Sequence, residues 1–587
     1  MLGLSGVEGR LFAPIAIATM LSMGASFVVS LTLIPVLCSW LLHPAAGTVH
    51  RDSLLVRGLK HLLRHTSLRL ALNYPLPILI LILAGLTAAF SLYPKMGKDF
   101  LPAFREETAL IAVTSAPGTS LEEMNHISDA IEAQILAVPE VRQVGRRLGR
   151  AERGDHVVPV STAEFDVDFG DPIDGSPARP REDVIAELNR RLKTVPGTFS
   201  VIGGPLADRI GHMLSGVAAP VAIKVFGPDL DTLRQLGTEV QAVAQSIPGF
   251  ASAKLDQQAF IPQLRIEADR PRATAYGVTP GALNEQLGSL IGGKTIAELR
   301  EGQRAINLVL RLPPSWRESA EQISRLPIET ANGQRIPLAS VADVREARGP
   351  NVIFRENSQR RFTVAIKPTV RDVGALVTRL QDEVRAKVAL PEGYFITYEG
   401  EFQARRDATN RILLFSALVF VVILFLLYGY FKSWSLALQV MLNIPLALVG
   451  GLVLTWLLID NISIATLVGF IAVGGIAARN GIMMISHYLH LMKHEGEGFT
   501  RAMVERGTLE RMVPVLMTAL AAGIALIPFV LAADQPGKEI LHPVAVVIVG
   551  GLVSSTLLDF LVTPLVFFAF GRRAAEHALK HGASAAQ

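Results

Sequence analysis

Cysteine is nearly missing from this chain: Cys38 is the only one in 587 residues, and it falls inside an apolar run. No disulfide can close any part of the chain on itself, so an outer domain must hold through its core alone. A single cysteine in such a run reads as a buried, inert thiol rather than a metal ligand. Charge of one sign is scarce as well. Basic residues number 56 against 52 acidic ones, a net of +4, which gives no footing for nucleic-acid binding. The phosphate loop, the nucleophile elbow and the metalloprotease helix are all missing, so the chain does not read as an enzyme and implies no cofactor. The first apolar run has no basic leader and exceeds a signal-peptide core in length, which argues against a cleaved leader.

What is abundant is apolar length. Half of the residues are hydrophobic and the mean hydropathy is +0.38, above the soluble globular range. Apolar runs occupy Leu11–Leu42, Leu76–Tyr93, Ile412–Tyr430, Leu436–Leu458, Ile462–Tyr488, Val513–Leu531 and Pro543–Phe570. Each can cross a hydrocarbon layer of about 30 Å as a helix. Arg51, Arg57, Lys60, Arg64 and Arg69 face one acid, Asp52, in the connection after the first run. Lys432, then Lys493, Arg501, Arg506 and Arg511, then Arg572, Arg573 and Lys580 mark alternate ends of the later runs. Positive charge marks the cytoplasmic side, so all seven runs take one orientation and the polar insert 94–410 lies outside. An outer domain of that size points to the inner membrane of a Gram-negative bacterium.

The insert repeats a pattern: an amphipathic helix, a proline followed by glycine or glutamate, then a β-type run. It occurs at Ser120–Val138, Arg181–Val195, Leu230–Ile247 and Val373–Leu390, with Pro139, Pro196, Pro248 and Pro391 as stops. Ser120-x-x-Glu123 forms a capping-box signature. Alternating runs at Leu110–Thr114, Ala163–Phe169, Val221–Phe226 and Thr363–Ile366 precede the helices. Four such units predict two split βαβ sandwiches of the ferredoxin-like kind. The glycine-rich stretch 257–350 breaks the rhythm and reads as a module inserted into the second sandwich. Phe165, Phe199, Phe226, Phe260, Phe354 and Phe362 fall at strand spacing and read as core.

The first and last apolar runs match each other. Pro14-Ile-Ala-Ile followed by Pro35-Val-Leu parallels Pro543-Val-Ala-Val followed by Pro564-Leu-Val, at the same proline spacing. Such tandem repeats are a transporter signature. Two ionisable residues sit deep within apolar runs, Arg479 in the fifth and Asp559 in the seventh, at similar depth. They admit three readings: a structural ion pair, a proton relay, or snorkelling. Arginine does not deprotonate, so any relay needs the carboxylate of Asp559.

These residues resemble the resistance-nodulation-division exporters. The matching segments are Gly6-Val-Glu-Gly-Arg-Leu-Phe-Ala-Pro14, Phe100-Leu-Pro102, Pro117-Gly-Thr-Ser-Leu121, Gly475-Ile-Ala-Ala-Arg-Asn-Gly481 and Arg511-Met-Val-Pro-Val-Leu-Met-Thr518. The first of them, with Trp316-Arg317, looks like the heavy-metal branch. The resemblance implies a proton-driven efflux permease, a homotrimer with a periplasmic adaptor and an outer-membrane channel as partners. By position it places Arg479 at a relay lysine, Thr518 at a relay threonine and Arg511 at a basic residue near the cytoplasmic mouth. The copper and silver exporters of that branch use three methionines in the outer cleft, where this chain has Ala112, His212 and Thr295. His212 beside Met213 is then the remaining candidate for substrate metal, and imidazole suits zinc, cobalt or nickel. A multidrug permease, or a membrane remnant without transport of its own, is the alternative.

The fold expected is an α+β membrane protein with seven transmembrane helices, the last helix of a first repeat and six of a second. Its segments run 1–43 (last helix of repeat one), 44–75 (basic cytoplasmic connection), 76–93 (a transmembrane helix), 94–208 (first porter subdomain), 209–256 with 351–408 (second porter subdomain), 257–350 (docking subdomain), 411–571 (five transmembrane helices) and 572–587 (cytoplasmic tail). The chain is thus expected to be the carboxy-terminal half of such an exporter.

Overall fold

The computed structural model describes residues 3–4, 6–41, 52–102, 104–150, 158–172, 175–177, 179–217, 219–256, 258–369 and 373–577. Arg51 of the basic connection and Lys580 of the tail lie outside them, as does the junction 42–50. Among the described residues seven helical spans are long and apolar enough to cross a membrane. The first is broken: α1 (Gly6–Leu31) and α2 (Leu33–Leu41) meet at Thr32. Cys38 is exposed on α2, which buries none of its residues against the rest of the chain. The apolar run around this thiol is thus lipid-compatible surface rather than protein core, and the expectation of a packed, buried cysteine is corrected. The basic connection forms a short amphipathic helix, Leu54–Leu63, capped by Ser53. The next span, α3 (Pro75–Phe90), opens on a proline, which suits a first helical turn because its N–H would have no partner there.

Two larger sheets form the main β structure of the polar insert. Strands β1 (Thr108–Ser115), β2 (Val141–Leu148), β3 (Thr162–Phe169) and β4 (Thr198–Gly203) lie in the order β2-β3-β1-β4. The Leu121–Leu136 and Arg181–Leu192 helices cross between them, which is a split βαβ arrangement. Ser120 accepts from Glu123 N and so starts the first of these helices. Arg179 grips Glu140 at 2.7 and 2.6 Å and reaches Glu187 at 2.5 Å. This bidentate guanidinium holds the nearly buried Glu140 carboxyl below the usual carboxylate range.

In the second sheet β5 (Val221–Phe226), β6 (Phe250–Leu255), β7 (Gln359–Pro368) and β8 (Phe395–Gly400) take the equivalent order β6-β7-β5-β8. Every residue of β5 is buried, Lys224 included, and Glu399 of β8 neutralises that lysine at 2.5 Å. Between β6 and β7 a module of its own pairs Phe260–Ala268 with Ala342–Pro350 and sends out the hairpin 294–310. Of the six phenylalanines expected in the core, Phe165, Phe226 and Phe362 are buried and Phe354 is half-buried. Phe199 and Phe260 are exposed: Phe199 falls on the outward side of its strand's alternation, and Phe260 opens a strand that is mostly exposed. The chain divides into two compact units, one of residues 1–110, 203–255 and 363–587 and one of residues 111–202 and 256–362. The second unit thus holds most of the first sheet together with the inserted module.

Five spans follow: α4 (Glu401–Phe431), a helical start at Trp434–Met441 leading into α5 (Asn443–Leu458), α6 (Ile464–His494), α7 (Arg501–Leu531) and α8 (Leu541–Phe570). α4 begins well before the apolar run at Ile412. Glycine sets how closely these helices pack. A Cβ on Gly550 of α8 would strike the Gly450 backbone of α5, and one on Gly551 would strike Val473 of α6. Such small residues let backbones meet where lipid gives no hydrophobic drive for association. Ser554 fastens the same crossing, accepting from Gly450 N at 3.1 Å and donating to the Ala447 carbonyl at 3.0 Å. Gly550→Ala is therefore expected to destabilise the bundle by about 1–3 kcal/mol through overpacking. Gly523→Ala on α7, where nothing lies near the added carbon, is expected to be neutral or mildly stabilising; thermal unfolding of both variants in detergent checks this.

Candidate functional site

Asp559 lies near the middle of α8 and is 2% exposed. Its neighbours on the inward stripe of that helix are Ser555, Thr556 and Thr563, all buried. The i and i+4 positions share a helix face, which brings Thr563 under Asp559. The Thr563 hydroxyl donates to Asp559 Oδ1 at 2.5 Å. Asn443, at the first turn of α5, donates from Nδ2 to the same hydroxyl at 3.2 Å. Asn443 fits there because Gly481 of α6 has no side chain: a Cβ at that position would collide with Asn443 Nδ2.

The register of α6 against α8 brings a further polar residue to this level. Gly469 packs on Val547, Val473 on Gly551, and Tyr488 on Phe567 with ring centroids 4.7 Å apart. The offset is nearly constant along the two parallel helices, so Asn480 falls level with Asp559. Asn480 is buried and its Oδ1 has no hydrogen-bond partner, and the same holds for Asp559 Oδ2 and Thr556 Oγ1. Three buried oxygens without partners thus stand within about a turn of one another along the bundle, and of the two carboxylate oxygens one is held and the other is open. A charged carboxylate in hydrocarbon is costly without a counter-charge, so this one must take up a proton or a cation to exist there.

Arg479 does not supply that charge. A helix turns about 100° per residue, and with Asn480 inward Arg479 stands on the exposed face of α6. Among the described residues it forms neither a hydrogen bond nor an ion pair. The structural ion pair with Asp559 is therefore corrected: equal depth along the membrane is not equal facing. Thr518 of α7 is half-buried and returns its hydroxyl to the Val515 carbonyl at 2.9 Å. Arg511 is half-buried on the same helix, its Nε enclosed and without a partner. Among the described residues neither of them forms a hydrogen bond or ion pair with Asp559. Asn443, Asn480 and Thr563 escaped notice in the sequence; amides within apolar helices were the available signal.

In the polar insert His212 and Met213 lie on the Pro205–Ser215 helix. His212 Nε2 is 3.6 Å from Asp208 Oδ2, one turn earlier. Met213 is exposed and lines a cavity of about 370 Å3 with Glu8, Arg10, Asp407 and Arg411. Ala112 sits in β1, and Thr295 sits in the exposed hairpin. No group of three His, Cys, Asp or Glu placed to hold a metal occurs among the described residues.

The hydroxyl of Thr563 is the part of this network most open to test. Thr563→Val keeps the shape and removes the donor, and is expected to lower stability by about 1–2 kcal/mol. The loss should shrink to near zero in an Asp559→Asn, Thr563→Val double variant compared with Asp559→Asn alone, measured by thermal unfolding.

Comparison with known proteins fits this arrangement. Residues 1–571 match the AcrB/AcrD/AcrF family. The chain is 30% identical over 573 residues to the cobalt-zinc-cadmium resistance protein CzcA of Cupriavidus metallidurans, covering 96% of this chain and 53% of that protein. It is 32% identical to protein HelA of Legionella pneumophila over 587 residues, covering 98% and 55%. The crystal structure of a heavy metal efflux pump superposes with a TM-score of 0.76 at 28% identity, over 97% of this chain and 56% of that one. The chain thus spans about half the length of the curated relatives it matches. With matching sequence over nearly all its residues and the same fold, the chain belongs to the AcrB/AcrD/AcrF family of resistance-nodulation-division permeases.

Proposed function

We propose that this chain forms part of a metal-cation efflux permease driven by the proton-motive force, in the inner membrane of a Gram-negative bacterium. The observation that carries the reading is Asp559, a carboxylate buried at the centre of the helix bundle with only neutral partners. A group so placed changes charge when it binds or releases a proton, and the bundle must repack around either form. Efflux of metal, rather than of another compound, is supported by relatives named for cobalt, zinc and cadmium resistance and for cation efflux.

Within that reading Asp559 is the relay carboxylate, positioned by Thr563 and Asn443. Thr518 and Arg511 stand on α7 toward the cytoplasmic end, where protons would leave. Arg479, on the uncovered face of α6, would meet an acid of a companion segment, in keeping with relatives about twice as long. The seven spans then correspond to the last helix of one repeat and the six of a second, the carboxy-terminal half of a two-repeat permease. The two split βαβ sandwiches serve as porter subdomains, and the module 257–350 docks a periplasmic adaptor and an outer-membrane channel in a trimeric assembly. Metal cargo would pass the Met213 cavity, with His212 as an imidazole ligand for zinc, cobalt or nickel.

The reading is tested in a sensitive host lacking its own pump, with the missing part of a relative supplied. Tolerance to zinc or cobalt should rise with the chain and collapse with an uncoupler. Asp559→Asn should remove at least about tenfold of the efflux rate, as expected for losing the only titratable group of the relay. Efflux unchanged in Asp559→Asn would end the assignment.

A further inference from the structure

Three oxygens around Asp559 exceed what a proton needs. A proton on Oδ2 would satisfy that atom and give one hydrogen bond, whereas Asp559 Oδ2, Asn480 Oδ1 and Thr556 Oγ1 are all buried and all without partners. Thr556 stands one turn before Asp559 on α8, on the same face. Asn480 reaches the same level from α6 by the helix register described above. One carboxylate, one amide oxygen and one hydroxyl make an all-oxygen set with a single negative charge. Oxygen sets of this kind hold small hard cations.

We propose that Asp559, Asn480 and Thr556 form a binding site for a sodium-sized monovalent cation between α6 and α8, occupied in competition with a proton. The single carboxylate favours a monovalent over a divalent ion, since one charge is matched by one. The soft ligands that would favour a thiophilic metal are lacking, because no Cys, Met or His contributes an atom. Few other charges act on the carboxylate. α5 carries no titratable residue, α3 and the Trp434–Met441 helix carry none, and Arg479 of α6 faces away. Tyr488, lower on α6, is tied to Thr508 of α7 at 2.7 Å. Arg511 and Glu510 of α7 lie nearer the cytoplasmic end, with Glu510 held by His487 and Arg506. Arg69, in the short helix against α8, is exposed. The charge balance at Asp559 is therefore set by the bound cation or proton. This inference deepens the transport reading by naming a second coupling ion, and it rests on that reading only for its purpose; the site itself stands on geometry.

The test is thermal unfolding of the full purified chain in detergent, in NaCl against choline chloride at matched ionic strength, from pH 6 to 9. The expected result is a Tm that rises with Na+ over choline. The half-saturating Na+ concentration should climb about tenfold per pH unit on the acid side, because the ligand must be deprotonated to bind. Asn480→Ala should shift half-saturation to at least tenfold more Na+, and Asp559→Asn should abolish the response. A cooperative melt of Asp559→Asn in choline shows that this variant is folded. Equal Tm in NaCl and choline at every pH, or an undiminished Na+ response in Asp559→Asn, would overturn the site. Because the readout is binding, a chain that responds to Na+ but exports no metal would count against the pump reading and leave the site standing.

Discussion

The burial of one carboxylate among neutral groups is the constraint to which the membrane half of this protein answers. Asp559 is enclosed by α5, α6 and α8, yet no lysine, arginine or histidine bonds to it among the described residues. The price of leaving such a group charged in a low-dielectric interior is several kcal/mol. A structural role would be served better by a neutral residue of the same size, so its presence points to a group that changes state. Thr563 and Asn443 hold one of its oxygens and leave the other open.

That arrangement depends on backbone proximity, which side-chain size controls. Gly450, Gly550 and Gly551 bring α8 against α5 and α6, and Gly481 leaves room for the Asn443 amide. The polar cluster is then sealed by tight helix packing rather than by a layer of large apolar side chains. A methyl group at any of these positions would act on the site through geometry alone. In the polar insert stability comes from a different source, two βαββαβ layers with apolar sheets, since no disulfide within the chain can contribute. The buried Lys224–Glu399 pair and the Arg179–Glu140 fork anchor those layers where charge enters the core.

Much of this was legible from residue order alone. Apolar length located the spans, and helix stops at proline marked the crossing helices of both sandwiches, within a few residues at their ends. The depth of Asp559 was legible because a carboxylate inside an apolar run has no other excuse. Facing was not. Arg479 and Asn480 are adjacent in sequence and lie about 100° apart around the helix, and a nearly uniform apolar composition gives no stripe from which to choose the inward one. Cys38, Phe199 and Phe260 failed for a related reason: residue type predicts a preference for burial, but not which side of an element finds a partner. The Pro205–Ser215 helix, which carries His212 and Met213, breaks the strand–helix rhythm and has no counterpart in the repeat that organised the rest.

The account is most directly tested by asking whether Asp559 takes and releases a proton inside the membrane. Dicyclohexylcarbodiimide attacks protonated carboxyls from the hydrocarbon phase, and the modified residue can be located by peptide mass mapping of the chain in lipid. The account predicts an adduct on Asp559 that is strong at pH 6 and fades as pH rises to 9, and that is missing in Asp559→Asn. An Asp559 that stays unmodified across that range, or is modified equally at every pH, would contradict it.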